Sequence, residues 1–244
     1  MEKLFFLDTS GCEEFFSLKA NEDKLLSFLP AQWQDRIAKT KNPELRHTRI
    51  LTYSLLMKAL LCEEWKILPN NTDNIPNLYF TEQGKPYING ASINISVSHT
   101  SGASLVAISN DEGVTIGVDI EEITDRGAIV SEKFNARYTR GNNISFGKLS
   151  DVYGQGKCDN VFSFTLGDYG IVSDGKCDIA FVEPISSSEL SIVRWSATEA
   201  LLKAEGGGFA SLPSLAEIIK KSTVLAGVTS YKNKSYAVSV VMKI

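Results

Sequence analysis

From Asn42 to Trp65 the string NPELRHTRILTYSLLMKALLCEEW sets apolar residues at Leu45, Leu51, Leu55 and Leu60, a spacing that predicts one helix. Asn42 is its expected N-cap and Pro43 its first helical position. Upstream, Leu4, Phe5, Phe6 and Leu7 run together before Asp8, too short a stretch for a signal-peptide core or a membrane span, and predict a first strand. Downstream, LPNNTDNIPN (68–77) is a loop by its Pro and Asn content, and LYF, PYI and SINISVS are short β-favouring runs. In the last of these, Ile93, Ile95 and Val97 alternate with Asn94, Ser96 and Ser98, predicting a strand with one buried face. ASLVAIS follows, and the turn NDEG leads into the strand VTIGVDIEEI.

Towards the C-terminus, SIVRWSATEALLKAEGGGF predicts a helix from about Ser191 stopped by three glycines, and STVLAGVTSYKNKSYAVSVVMKI predicts two strands joined at Lys232-Asn233-Lys234. Each half thus pairs a helix with antiparallel strands. The expected fold class is α+β, pseudo-duplicated, with halves 1–115 and 116–244 meeting near 110–118. The interval 125–190 is rich in Gly, Ser, Asn and Asp and holds the short runs NVFSFTL, GIVS and CDIAFVE without a helical period, so it is expected to be a β-rich insertion in the second half.

An apolar fraction of 43% with 22% charged residues excludes a disordered or fibrous chain. The net charge of −4 argues against broad nucleic-acid binding, so any polyanion site must be local. Cys12, Cys62, Cys158 and Cys177 include no CxxC pair and only two histidines are present, which speaks against a structural zinc site and for free thiols in the cytoplasm. Cys158 and Cys177 share the string GKCD, compatible with a bridged hairpin or with coincidence.

Three strings carry chemistry. In Gly117-Val118-Asp119-Ile120-Glu121 the strand alternation sends both carboxylates to one side, an arrangement suited to a magnesium ion holding a pyrophosphate and equally to solvated acids at a strand end. In WSATEALLK (195–203) Glu199 and Lys203 share a helix face with Trp195, as an ordinary surface ion pair also would. In Ser98-His99-Thr100-Ser101-Gly102 a histidine and small polar residues follow a strand and offer donors to a phosphate, although a lone histidine is often structural.

The order GKPY (84–87), NISVSHT (94–100), IGVDIE (116–121) and WSATEALLK (195–203) resembles that of the Sfp-type 4'-phosphopantetheinyl transferases. The resemblance covers about residues 30–122 and 190–210 and implies a pseudo-twofold α+β fold with coenzyme A in the cleft between halves. It implies that Asp119, Glu121 and Glu199 are magnesium ligands and that Lys203 serves the reacting phosphate. Glu199 is the implied base where the metal does not claim it, a metal-bound water being the alternative. Ser98 and His99 would contact the diphosphate and 3'-phosphate, the backbone around Lys85 and Pro86 the adenine, and Arg49 the phosphates, with Arg36 and Arg46 as weaker candidates. The implied partner is an apo acyl or peptidyl carrier protein, and a monomer is expected.

The chain also departs from the family pattern. Thr198 stands where a lysine usually precedes the helix glutamate, which implies a lower rate or, as an alternative function, a coenzyme A or carrier-binding module that has lost catalysis. The family's segment after GxDIE, with its phenylalanine pair, is echoed only faintly by EKFNARYT (132–139). An unrelated magnesium-dependent phosphohydrolase would share the carboxylates but leave GKPY and SHT unexplained.

Overall fold

A computed structural model describes residues 2–61, 78–139, 144–153, 160–167, 170–176 and 179–244. The first strand, β1, is Glu2–Asp8, and three short helices follow it, α1 (Cys12–Phe16), α2 (Lys19–Ser27) and α3 (Ala31–Ala38). Helix α4 then spans Pro43–Leu61. Its N-terminus is as the sequence indicates, with the Asn42 side chain accepting from the Leu45 amide at 3.1 Å. Strands β2 (Leu78–Phe80), β3 (Pro86–Ile88), β4 (Asn94–Thr100), β5 (Ala103–Ser109) and β6 (Thr115–Glu122) complete this part.

The remainder comprises α5 (Asp125–Tyr138), β7 (Gly147–Lys148), α6 (Leu149–Tyr153), β8 (Val161–Gly167), β9 (Gly170–Lys176), β10 (Phe181–Val182), α7 (Ser187–Glu205), a 3-10 segment Gly208–Ser214, α8 (Leu215–Lys220), β11 (Ser222–Tyr231) and β12 (Lys234–Lys243). The loop 68–77 and three of the four cysteines, Cys62, Cys158 and Cys177, lie outside the described residues; Cys12 is a free thiol. Among the described residues no helix is long and apolar enough to cross a membrane.

Mixed α+β is the observed class, built in four layers. One sheet of seven strands runs β2-β3-β4-β5-β1-β8-β9, and a second runs β10-β11-β12-β6, with β7 pairing the same outer edge of β11 as β10 does. Helix α4 packs on one face of the first sheet, and the second sheet packs on its other face. The run Leu4-Phe5-Phe6-Leu7 records this: Phe5 and Leu7 join the core under α4, while Leu4 and Phe6 join the core between the sheets. A strand covered on both faces reads as an unbroken apolar run. Helices α5, α7 and α8 cover the far side of the second sheet.

The segment 125–190 differs from the expected β-rich insertion without helical period. It opens with the 14-residue helix α5, and its strands are divided between the sheets: β8 pairs β1 in parallel, whereas β7 and β10 pair β11. Helix α7 begins at Ser187, earlier than its apolar period indicates, because Ser186 and Glu189 form a reciprocal capping box. Its C-terminus is closed by Gly206 at φ 86°, as the glycine run suggested.

Strand β4 also departs from its expected single buried face. Ile95 sits in the core under α4, yet Ser96 and Ser98 on the opposite face are only 2% and 6% exposed. They face β6. Ser96 Oγ, Ser98 Oγ and Thr100 Oγ1 accept from the amides of Val118, Ile120 and Glu122 at 3.0, 3.4 and 3.2 Å. These hydroxyls satisfy edge amides of β6 that would otherwise be costly to bury.

Candidate functional site

Alternation along β6 turns Ile116, Val118 and Ile120 into the core between the sheets and leaves Gly117, Asp119 and Glu121 facing α7. A Cβ on Gly117 would lie 2.0 Å from the carbonyl oxygen of Ala200 and 2.6 Å from the amide nitrogen of Ala204. Only glycine lets the strand approach the helix backbone this closely. That approach sets Asp119 and Glu121 beside Glu199 and Lys203, one turn apart on α7.

One potential ligand oxygen from each of Asp119, Glu121 and Glu199 lies within 4.8 Å of the others. Asp119 is 1% exposed; its Oδ1 accepts from Ser98 Oγ at 2.8 Å and from Lys203 Nζ at 2.6 Å, and its Oδ2 is buried without a partner. Lys203 Nζ also donates to Ser98 Oγ at 2.9 Å and lies 3.8 Å from Glu199 Oε2. Trp195 Nε1 donates to Glu121 Oε1 at 3.2 Å.

One buried and two half-buried carboxylates against one ammonium leave excess negative charge. Burial, then Asp119, pushes Glu121 up to about 7. The same causes in the same order push Glu199 up to about 8, partly opposed by Lys203. For Lys203 burial acts downward, but Asp119 and Glu199 outweigh it and the net shift is upward. A divalent cation would relieve this repulsion in place of protons. Three oxygens on one octahedral ion include at least two adjacent pairs, about 3 Å apart, so a bound cation would draw these carboxylates closer together than they stand. The unpartnered Asp119 Oδ2, the all-oxygen donor set and the raised carboxyls together fit a hard cation.

The other sequence-derived candidates surround this cluster unevenly. Burial, then the charges of Lys203 and Arg49, hold His99 down to about 4, so its imidazole is neutral between two cations. Arg49 donates to Thr40 Oγ1 at 2.7 Å. Arg36 lies over the Phe80 ring at 4.3 Å and against Gly84, where a Cβ would come within 2.8 Å of its Nη2. The same glycine has φ 89°, so the turn before Lys85 and buried Pro86 depends on it twice. The Lys85 side chain runs to the carbonyls of Ile116 and Ala204 at 3.4 and 3.2 Å, tying the turn to β6 and the end of α7, and burial holds it down to about 8. Arg46 is engaged elsewhere, with Glu22 at 2.8 Å.

Arg126, Val130 and Phe209 are site neighbours that had no signal in the sequence. A cleft of about 370 Å³ opens beside the carboxylates, lined among others by Thr100, Glu121, Arg126, Val130 and Trp195. Phe134, in the EKFNARYT string, packs edge-on to Trp195 at 3.9 Å, and Phe209 joins them. Thr198 is wholly buried and its Oγ1 donates back to the Arg194 carbonyl at 2.9 Å. No protein-family model matches this sequence and no curated protein is significantly similar to it.

Proposed function

We propose that this chain transfers 4'-phosphopantetheine from coenzyme A to a serine hydroxyl of an apo carrier protein, releasing 3',5'-ADP, with magnesium. The observation that carries the reading is the meeting of separated motifs: Asp119 from β6, Ser98 from β4 and Lys203 from α7 hydrogen-bond to one another, and Glu121 and Glu199 bring their oxygens within 4.8 Å of those of Asp119. In this reading residues 1–115, with α4, and 116–244, with α7, are the two halves of a pseudo-twofold transferase fold, β8 and β9 of the second half being joined to the first sheet.

Asp119, Glu121 and Glu199 would hold the magnesium, which supplies charge neutralisation for the diphosphate and its leaving group. Lys203, hinged between Asp119 and Glu199, donates to a phosphoryl oxygen and stabilises the charge that moves onto it. Arg49, with Arg36 as a weaker contributor, supplies positive charge for the remaining phosphates, and neutral His99 donates one hydrogen bond without adding charge. The turn at Lys85 and Pro86 takes the adenine through its backbone, since the Lys85 ammonium is already used between β6 and α7. The carrier serine oxygen bonds to phosphorus as the bond to the ADP oxygen breaks, and its proton passes to a carboxylate, Glu199 where the metal leaves it free.

The cleft leads from Glu121 to α5, which lines it at Arg126 and Val130; Ile129 and Val130 are more than half exposed, and the helix sets Arg126, Lys133 and Arg137 against Asp125 and Glu132. An apolar face with basic neighbours suits an acidic carrier protein. The chain would act as a cytoplasmic monomer. A second reading, coenzyme A binding without transfer, draws on Thr198, which puts no cation beside Glu199.

Mass spectrometry of an apo acyl carrier protein incubated with the chain, coenzyme A and magnesium tests the proposal. Gain of one phosphopantetheine supports transfer; bound coenzyme A without gain supports the second reading; release of pantetheine phosphate to water supports hydrolysis instead.

A further inference from the structure

The Lys85 side chain leaves the turn at Gly84 and ends between the two elements that carry the carboxylates. Its Nζ donates to the Ile116 carbonyl of β6 at 3.4 Å and to the Ala204 carbonyl of α7 at 3.2 Å. Ile116 immediately precedes Gly117, and Ala204 immediately follows Lys203. Ala204 also supplies the amide nitrogen that a Cβ on Gly117 would approach to 2.6 Å. The ammonium therefore bridges strand and helix at the close approach that Gly117 permits, and that approach is what sets Asp119 and Glu121 beside Glu199.

Both ends of the bridge are fixed. At the turn, the Lys85 amide donates to Thr81 Oγ1 at 3.1 Å, its carbonyl accepts from the Thr81 amide at 2.9 Å, and the Gly84 amide donates to the Thr81 carbonyl at 2.9 Å. At the helix, Ala204 lies in the last turn of α7, where carbonyls lack intrahelical partners and a cation is favoured. The Lys85 stem passes the C-cap, with its Cδ 3.8 Å from where a Cβ on Gly206 would stand. Lys243, the other cation beside Lys85, is paired with Glu205.

We propose that Lys85 is a positioning residue that holds β6 against α7 and so couples occupancy of the turn at 84–86 to cation affinity at Asp119, Glu121 and Glu199. The coupling rests on the reading of that turn as the adenine site. A ligand on the turn backbone fixes Lys85, and Lys85 fixes the spacing of β6 and α7. A cation that draws the carboxylates together fixes the turn in return, because linkage between two sites is reciprocal. A lysine acting through charge alone would repel the cation, and its removal would tighten cation binding. Removal of Lys85 weakens it, because the carboxylates lose their alignment.

Calorimetric titration of the intact chain with magnesium, alone and with saturating adenosine 3'-phosphate, tests this. That nucleotide reaches the turn and has no diphosphate with which to touch the cation. Lys85→Met weakens magnesium about tenfold, the low end for groups that hold metal ligands in place. In the wild type the nucleotide tightens magnesium about fivefold. In Lys85→Met that linkage is lost, although the nucleotide still binds through the turn backbone. Lys85→Arg keeps the linkage, since its guanidinium has donors for both carbonyls. A merely structural lysine would lower the melting temperature and leave the linkage in place. Failure of the wild type to bind the nucleotide or magnesium strikes the proposed function and this coupling together. Wild-type magnesium affinity or an intact linkage in folded Lys85→Met, or a lost linkage in folded Lys85→Arg, overturns this proposal alone.

Discussion

Lys203 Nζ lies 2.6 Å from Asp119 Oδ1, a contact between α7 and β6 that spans 84 positions in the chain. It leaves Asp119 half-satisfied, with Oδ2 buried and unpartnered. Replacing Asp119 by Asn keeps an acceptor for Ser98 and Lys203 but removes the charge a cation needs. Asp119→Asn should lose transfer by at least about a hundredfold, the scale of removing one preorganised electrostatic contact at the reacting centre. Single-turnover transfer at saturating coenzyme A, with circular dichroism to check the fold, measures it; near-normal magnesium-dependent turnover would remove Asp119 from the site.

The raised carboxyls make a signed pH prediction. Glu121 and Glu199 titrate at about 7 and about 8 when folded, above the ordinary 4.5, so their stabilising contribution is complete at low pH and is lost as pH rises through those values. His99 works oppositely: depressed to about 4 from 6.5, it favours folding above 6.5 and withdraws that support as pH falls through 4. Above pH 6.5 the histidine is silent. Between pH 6.5 and 8.5 the metal-free chain should therefore melt at progressively lower temperature, and magnesium should restore more stability as pH rises, because the cation competes with protons. Scanning calorimetry in chelator and in excess magnesium follows both trends; a magnesium effect independent of pH would contradict them.

Thr198→Lys tests the residue that departs from the transferase pattern. The site is wholly buried and its hydroxyl is bonded within α7, so a lysine must push neighbouring packing aside to reach either water or Glu199. The variant should be destabilised by about 2–4 kcal/mol, in the range of overpacking plus a poorly solvated charge, and should transfer more slowly. Denaturant melts and single-turnover rates measure the two losses. A faster enzyme of unchanged stability would mean that Thr198 merely omits a supporting charge.

Gly117→Ala should also disrupt the site without touching a carboxylate. Its methyl group would fall inside the Ala200 carbonyl, forcing β6 from α7 at a cost of about 1–3 kcal/mol or more. Magnesium affinity should fall with stability, since Asp119 and Glu121 move away from Glu199. Calorimetric magnesium titration of the variant checks the link; unchanged affinity would show that the carboxylates converge independently of this contact.

What was legible in the sequence was what local patterns encode. The β4 and β6 alternations and the apolar period of α7 follow from nearest neighbours, and they place Asp119, Glu121, Glu199 and Lys203 on the right elements. Helix α5 was illegible because its polarity is inverted: small Ala128 and Ser131 are buried, while Ile129 and Val130 are exposed, Val130 at the cleft. The start of α7 was missed because Ser186 and Glu189 signal through reciprocal capping, not through hydrophobic spacing. The bond from Trp195 to Glu121, the crossing of β8 to β1 and the two-sided burial of β4 belong to tertiary pairing, which single-chain periodicity does not carry.

The hydroxyl ladder between β4 and β6 acts as an index for the whole centre. Its three bonds share one offset of 22 positions, and they tie alternate residues of one strand to alternate residues of the other. A slip of one residue would turn Asp119 and Glu121 into the apolar core. A slip of two would keep every greasy side chain on its proper face, so hydrophobic burial by itself discriminates poorly against it. That slip would still strand one of the three hydroxyls and carry Gly117 out from under Ala200, bringing a bulkier residue against the helix. Fidelity of alignment at this centre therefore rests on three small alcohols and one missing methyl group, and drift at Ser96 or Thr100, neither of which belongs to the carboxylate cluster, would degrade the centre by misplacing it.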